Sequence, residues 1–246
     1  MVPQTLEEKK WQIARKIWHF FGSMLMIAIF YLWRDIKQPI KGADFLLIFS
    51  WFELFLLGGV DLLRFYIPRY NQSVKRLFFY GKIMRDYEER DFNASTYAIL
   101  AAVILITIYW FGWCRESTLV MSILVFGIAD PIAAFVRETS QEKNWQQERV
   151  LGLVTFLVAS FLVMWLVSWL TKTRLTWQCL LVTSAIVALM ETYTKYLVVV
   201  VRPITRQVQN LIRHRTTLWL LHFWPDDNLF APLAVAVLIG VLPNWI

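Results

Sequence analysis

Apolar runs of 18 or more residues recur along this 246-residue chain, over 16–33, 43–60, 93–113, 117–136, 150–171, 175–200 and 228–245. Runs of that length match the hydrocarbon thickness of a bilayer when they are helical. Inside hydrocarbon a helix satisfies its backbone groups within the segment itself. The expectation is an all-α, polytopic transmembrane bundle of about seven spans, forming one integral-membrane domain over residues 1–246. Hydrophobic residues make up 58% of the chain and charged residues only 17%, which excludes disorder and is unusual for a soluble domain. Met1 to Lys10 is polar, and no small-residue cleavage site follows the first run, so no cleavable signal peptide is expected. Cys114 and Cys179 show no metal or redox spacing and are expected to be unpaired.

Lysine and arginine are divided unevenly between the two sets of connections. The N-terminal tail and first turn carry four, the second-to-third loop seven, the fourth-to-fifth three, and the sixth-to-seventh five when Lys195 near the end of span 6 is counted with it. The intervening connections carry three, one and two. The positive-inside rule then places the N-terminus and the basic loops 64–92 and 202–227 in the cytoplasm. An inner membrane and an endoplasmic reticulum both satisfy that orientation. The net charge of +7 reads as basic loops lying on anionic headgroups, not as nucleic-acid binding. From Arg202 to Trp224, the apolar residues Ile204, Val208, Leu211, Ile212, Leu218 and Trp219 approximate one face of an interfacial amphipathic helix.

This topology gathers the polar groups of the spans toward one membrane face. Arg15 and His19 lie one turn apart at the start of span 1, and Asp61 and Arg64 close span 2 at i, i+3. Asp130 sits in span 4 beside Pro131, which removes a backbone donor and loosens the helix one turn back, near Gly127. Glu191 and Lys195 mark span 6, which they either end or interrupt, and Asp226-Asp227-Asn228 opens span 7 as a helix cap, a site, or both. An intramembrane carboxylate is expensive and is kept mainly where it faces a cavity, a partner or a substrate. Carboxylates and an Asn beside basic side chains suit a divalent cation such as Mg²⁺ and a phosphorylated ligand. No Walker A run, kinase glycine-rich loop, Gly-x-Ser-x-Gly or His-Glu-x-x-His appears.

The ordered set Arg15-Lys16-x-x-His19, Asp61-x-x-Arg64, Asn93-Ala-Ser-Thr-Tyr97, Gly127-x-Ala-Asp130-Pro-x-Ala-Ala134, Glu191 and Asp227-Asn228-x-x-x-Pro232 resembles the CTP-dependent lipid kinases. These comprise dolichol and polyprenol kinases, phytol kinases and CTP-dependent diacylglycerol kinases, which are related to integral-membrane phosphatidate cytidylyltransferases. The resemblance runs from about Arg15 to Pro232. It implies a helical membrane enzyme that moves a phosphoryl group from CTP to a lipid alcohol with Mg²⁺. Asp130 would bind the metal, with Glu191, Asp227 and Asn228 assisting. Arg15, Arg64, Arg137, Arg149 and Lys195 would hold phosphates, and His19 or Asp61 would take the lipid hydroxyl's proton. The lipid would enter sideways between apolar helices. The chain departs from the family pattern at Ala129 and Arg137, where glycines are expected, and at Glu148-Arg149-Val150-Leu151-Gly152, which keeps only the glycine of a Lys-Ser-x-Glu-Gly run. Those departures support a second reading, a non-catalytic relative that binds lipid phosphates or a partner. A third is a small-solute or ion-coupled transporter using Glu53, Asp130 and Glu191; one-sided clustering and the lack of repeats argue against it.

Overall fold

The computed structural model describes residues 6–33, 42–76, 92–140, 145–211 and 227–242, and every regular element among them is helical. The helices are α1 (Leu6–Trp33), α2 (Gly42–Tyr66), α3 (Pro68–Arg76), α4 (Ala94–Trp110), α5 (Glu116–Thr139), α6 (Trp145–Leu170), α7 (Trp177–Leu211) and α8 (Asp227–Val241). Four contain segments long and apolar enough to cross a membrane: Ile13–Trp33, Ala43–Tyr66, Glu116–Thr139 and Gln147–Leu170. The protein is thus a membrane protein. The apolar helices α4 and α8 run only 17 and 15 residues, short of the roughly 20 that a full crossing takes. The Glu191-to-Lys195 segment neither ends nor interrupts its helix, since α7 continues for 35 residues to Leu211. The expected amphipathic helix is therefore continuous with α7 as far as Leu211, and 212–224 lies outside the described residues. The first basic loop begins as α3, which buries Val74 and exposes Arg69, Lys75 and Arg76. Its remainder, 77–91, also lies outside the described residues.

Helix α5 is the axis of the bundle. Two-thirds (67%) of its crossing segment is buried, against 17% for α2. Around it the chain of packed neighbours runs α1, α2, α4, α8, α7, α6, with α1 and α6 both closing on α5. The core between them centres on Met121, Val125, Phe156, Met164, Val187 and Val235. Lipid tails are as apolar as these side chains, so close packing rather than removal from water holds them together. The outward faces carry stripes of large apolar residues at helical spacing, such as Val150, Val154, Val158, Leu162, Trp165 and Trp169 on α6. Buried hydroxyls return to carbonyls of the preceding turn, as Ser122 does to Thr118 and Ser184 to Leu180, both at 2.8 Å. Both cysteines are free thiols.

The Asp130-Pro131 pair shapes α5 as the sequence implies. Pro131 has no N–H, and its ring crowds the carbonyl one turn back. The helix responds with a single π turn, Val125–Ala129, and resumes α-helical geometry at Asp130. Gly127 lies in that turn, and α1 approaches so closely there that a Cβ on Gly127 would overlap the Ser23 side chain.

Candidate functional site

One stripe of α1 is polar and faces inward. Arg15, Lys16, His19 and Ser23 are all buried, while Ile17, Trp18 and Phe21 are exposed. The spacing of 15/16, 19 and 23 is one face of a helix. The Lys16 ammonium pairs with Asp130 Oδ2 across the α1–α5 interface. One turn along α1, the His19 ring lies on Phe126 of the π turn with centroids 5.4 Å apart. Ser23 then seats against Gly127. Asp130 and His19, both expected at the site, are thus brought to one interface. Lys16 joins them, although the sequence reading gave it no site role. Its spacing from His19 and Ser23 was the available signal.

Asp61 and Arg64 form a second buried cluster with a different character. Arg64 Nη1 donates to Asp61 Oδ1 at 2.5 Å. Asp61 Oδ2 accepts from the Asn93 backbone N–H and from the Thr96 hydroxyl, each at 2.7 Å. Arg64 Nε also reaches Asn71 Oδ1 at 3.4 Å. Asn93 in turn caps α4 by accepting from the Ser95 N–H at 2.9 Å. The Asp61 carboxylate is thus engaged by three donors, and the pair ties α2, α3 and α4 into one unit. This geometry favours a structural clasp over the proton-accepting role for Asp61 and the phosphate-binding role for Arg64.

The other expected site residues are more spread out. Glu191 is buried on α7, and Asn228 is buried in the first turn of α8, which packs against α7, α4 and α5. Arg137, on the last turn of α5, is half-buried, with its Nη1 3.5 Å from where a Cβ on Gly152 would stand. Gly152 thus leaves the backbone of α6 open to Arg137. Arg149 is half-buried on the first turns of α6. Lys195 and Asp227 belong to α7 and α8, but their side chains fall outside the described residues. Among the described residues no three His, Cys, Asp or Glu side chains group as a metal site. Lys16 already compensates Asp130, so a Mg²⁺ ion there would have to displace the ammonium. The described donors therefore do not form a ready site for the metal.

Antiparallel packing places most of these groups at one end of the bundle. That end holds the start of α1, the end of α2, the start of α4, the end of α5 and the start of α6. Leu229 joins it by packing with Tyr97 near the start of α4. From this end a cavity of about 360 Å³ extends between α1, α2, α4 and α5. His19 and Phe126 line it together with Trp18, Phe21, Leu57 and Leu105. Its α1 wall, Trp18 to Ile29, is about 16 Å long at 1.5 Å per residue. That is about half of a 30 Å hydrocarbon core, one leaflet's depth. The sequence reading expected a lipid to enter between apolar helices without naming them; the cavity lies between α1, α2, α4 and α5.

Compared with known proteins, the chain matches no family model, no curated protein and no solved structure.

Proposed function

We propose that the protein is a membrane lipid kinase, transferring a phosphoryl group from a nucleotide, CTP by resemblance, to a lipid alcohol. One observation carries this reading: an apolar groove one leaflet deep ends at His19, beside the buried Lys16–Asp130 pair and within the charged end of the bundle. The groove would take a single lipid chain, with its hydroxyl at the polar end. Phosphoryl transfer is mostly positioning plus charge compensation, so a protein needs few groups to perform it. The lipid oxygen forms a bond to the terminal phosphorus, the bridging P–O bond breaks, and the nucleoside diphosphate leaves. His19 accepts the hydroxyl proton, while Arg15, Lys16, Arg137 and Arg149 compensate phosphate charge. Asp130 orients Lys16 toward that charge. Mg²⁺ would supply further charge compensation, and no step here depends on it.

The charge asymmetry of the loops supports a cytoplasmic active face and a cytoplasmic N-terminus, and the seven apolar runs of the sequence are the support for about seven crossings. Either a bacterial inner membrane or an endoplasmic reticulum would suit. A second reading, a non-catalytic lipid-binding relative, is favoured by the Lys16–Asp130 pair itself, which occupies the carboxylate that a metal would use.

The test is label transfer in detergent from γ-labelled CTP or ATP to diacylglycerol, a polyprenol or phytol. Transfer to one lipid by the wild type, and none by Asp130→Asn, is expected. No transfer from either nucleotide by a folded protein would reject the kinase reading and leave the non-catalytic one.

A further inference from the structure

Glu53 stands apart from the charged end. It lies on α2 eight residues before Asp61, about 12 Å along the helix axis. Its side chain is half-buried and lines the groove between Phe49 and Leu57. Among the described residues no hydrogen bond or ion pair reaches its carboxyl group. The groove around it is almost wholly hydrocarbon, with Met26, Ile99 and Ala102 among the lining residues. A carboxyl group with no partner costs free energy in such surroundings, and a leucine would fill the position without that cost.

The groove's polar lining is His19 at its end, the hydroxyl residues Ser23 and Ser95, and Glu53, the one carboxyl group, along its length. Three inter-helix contacts relate the depths of His19 and Glu53: Gly58 to Thr96 at 3.9 Å, and ring contacts of Phe30 with Tyr109 at 5.5 Å and of Trp33 with Phe45 at 5.0 Å. Counting residues from these contacts puts Glu53 about 5–9 Å deeper than His19. A bare isoprenoid alcohol offers nothing at that depth. A lipid with a free hydroxyl and an acyl linkage a few bonds away offers an ester carbonyl, or an amide with both a donor and an acceptor. A carboxyl group can donate to the carbonyl when neutral and accept from the N–H when ionised.

We propose that Glu53 selects the lipid: the groove takes an acyl lipid with an ester or amide linkage just below a free hydroxyl, and disfavours a bare polyisoprenoid chain. The proposal rests on reading the groove as the lipid site and adds which class of lipid it accepts. Discrimination arises because an apolar chain would complete the burial of Glu53 and leave it unpaired, a penalty that polar sites exploit against analogues lacking the matching group.

The experiment measures lipid retention by native mass spectrometry of the purified full-length protein, with diacylglycerol, ceramide and a polyprenol of similar mass offered in competition. The wild type is expected to retain an acyl lipid over the polyprenol by about tenfold or more. The diacylglycerol and ceramide arms separate ester from amide recognition. Glu53→Gln, which keeps hydrogen-bonding capacity, is expected to keep most of that preference. Glu53→Leu is expected to bring the ratio near unity, chiefly by admitting the polyprenol. Equal retention by the wild type, a polyprenol preference, or an unchanged ratio in Glu53→Leu would overturn the proposal. Lipid retention without phosphoryl transfer would sink the kinase reading alone, whereas retention of no lipid would sink both.

Discussion

Gly127→Ala tests whether the π turn and the α1–α5 approach belong together. An alanine Cβ would meet the Ser23 Oγ at 2.6 Å and its Cβ closer still. Ordinary carbon contacts begin near 3.5 Å, so the two helices must separate by about an ångström. Overpacking of that size costs about 1–3 kcal/mol. Helix propensity would return at most about 1 kcal/mol of it, since alanine replaces glycine. Ser23 lies one turn from His19 and Gly127 three residues from Asp130, so the separation also loosens the Lys16–Asp130 contact. Thermal and dodecyl sulfate unfolding of detergent-solubilised protein measure the loss. The relieving change is Ser23→Gly, and the double variant should recover most of the stability, with a coupling of about 1–2 kcal/mol. Gly22→Ala is the control, because its Cβ would meet nothing within 4 Å. If Gly127→Ala unfolded like the wild type, or if Ser23→Gly failed to restore it, the close approach would not be at this pair.

Two further outcomes follow from the geometry. Asp61→Asn leaves Arg64 buried without its counter-charge and should cost about 3–5 kcal/mol, whereas Asn93→Ala removes one helix cap and should cost about 1 kcal/mol; similar losses for the two in the same unfolding assay would refute the clasp. Cys114 lies outside the crossing segments, in the turn between α4 and α5, and burial pushes its thiol above the ordinary value. Because the folded state holds that proton more tightly, the linked stability is present at low pH and is lost as pH rises past the unfolded thiol's value. Maleimide labelling of Cys114 in a Cys179→Ser background should therefore level off at higher pH folded than unfolded, and coincident profiles would contradict it.

Much of the architecture was legible because hydrocarbon leaves a chain few choices. The helical class follows from apolar length alone, and the π turn was foreshadowed by a proline placed four residues after Gly127. Span lengths were harder to read. Apolarity continues past the end of α4, where Phe111 and Trp113 follow the last helical turn, so composition overstates that helix. In α7 the polar Glu191-to-Lys195 segment looks like a boundary, yet backbone hydrogen bonding carries through it at little cost. The site divided similarly. Asp130 and His19 announce themselves as charged or titratable groups in apolar runs, and the structure brings them to one interface. Asp61 and Arg64 announce themselves equally well, but only their partners, the Asn93 N–H and the Thr96 hydroxyl, distinguish a clasp from a reactive pair.

By itself, then, the sequence determined the solvent this protein folds in and which polar residues would stand out there, because a charged group in an apolar run is conspicuous by its identity before its partners are known. The tertiary structure alone decided that Lys16 meets Asp130, that Ser23 needs Gly127 and that Glu53 lines an open groove. Those facts depend on distances between helices far apart in the chain, and no local pattern encodes the depth at which two helices touch.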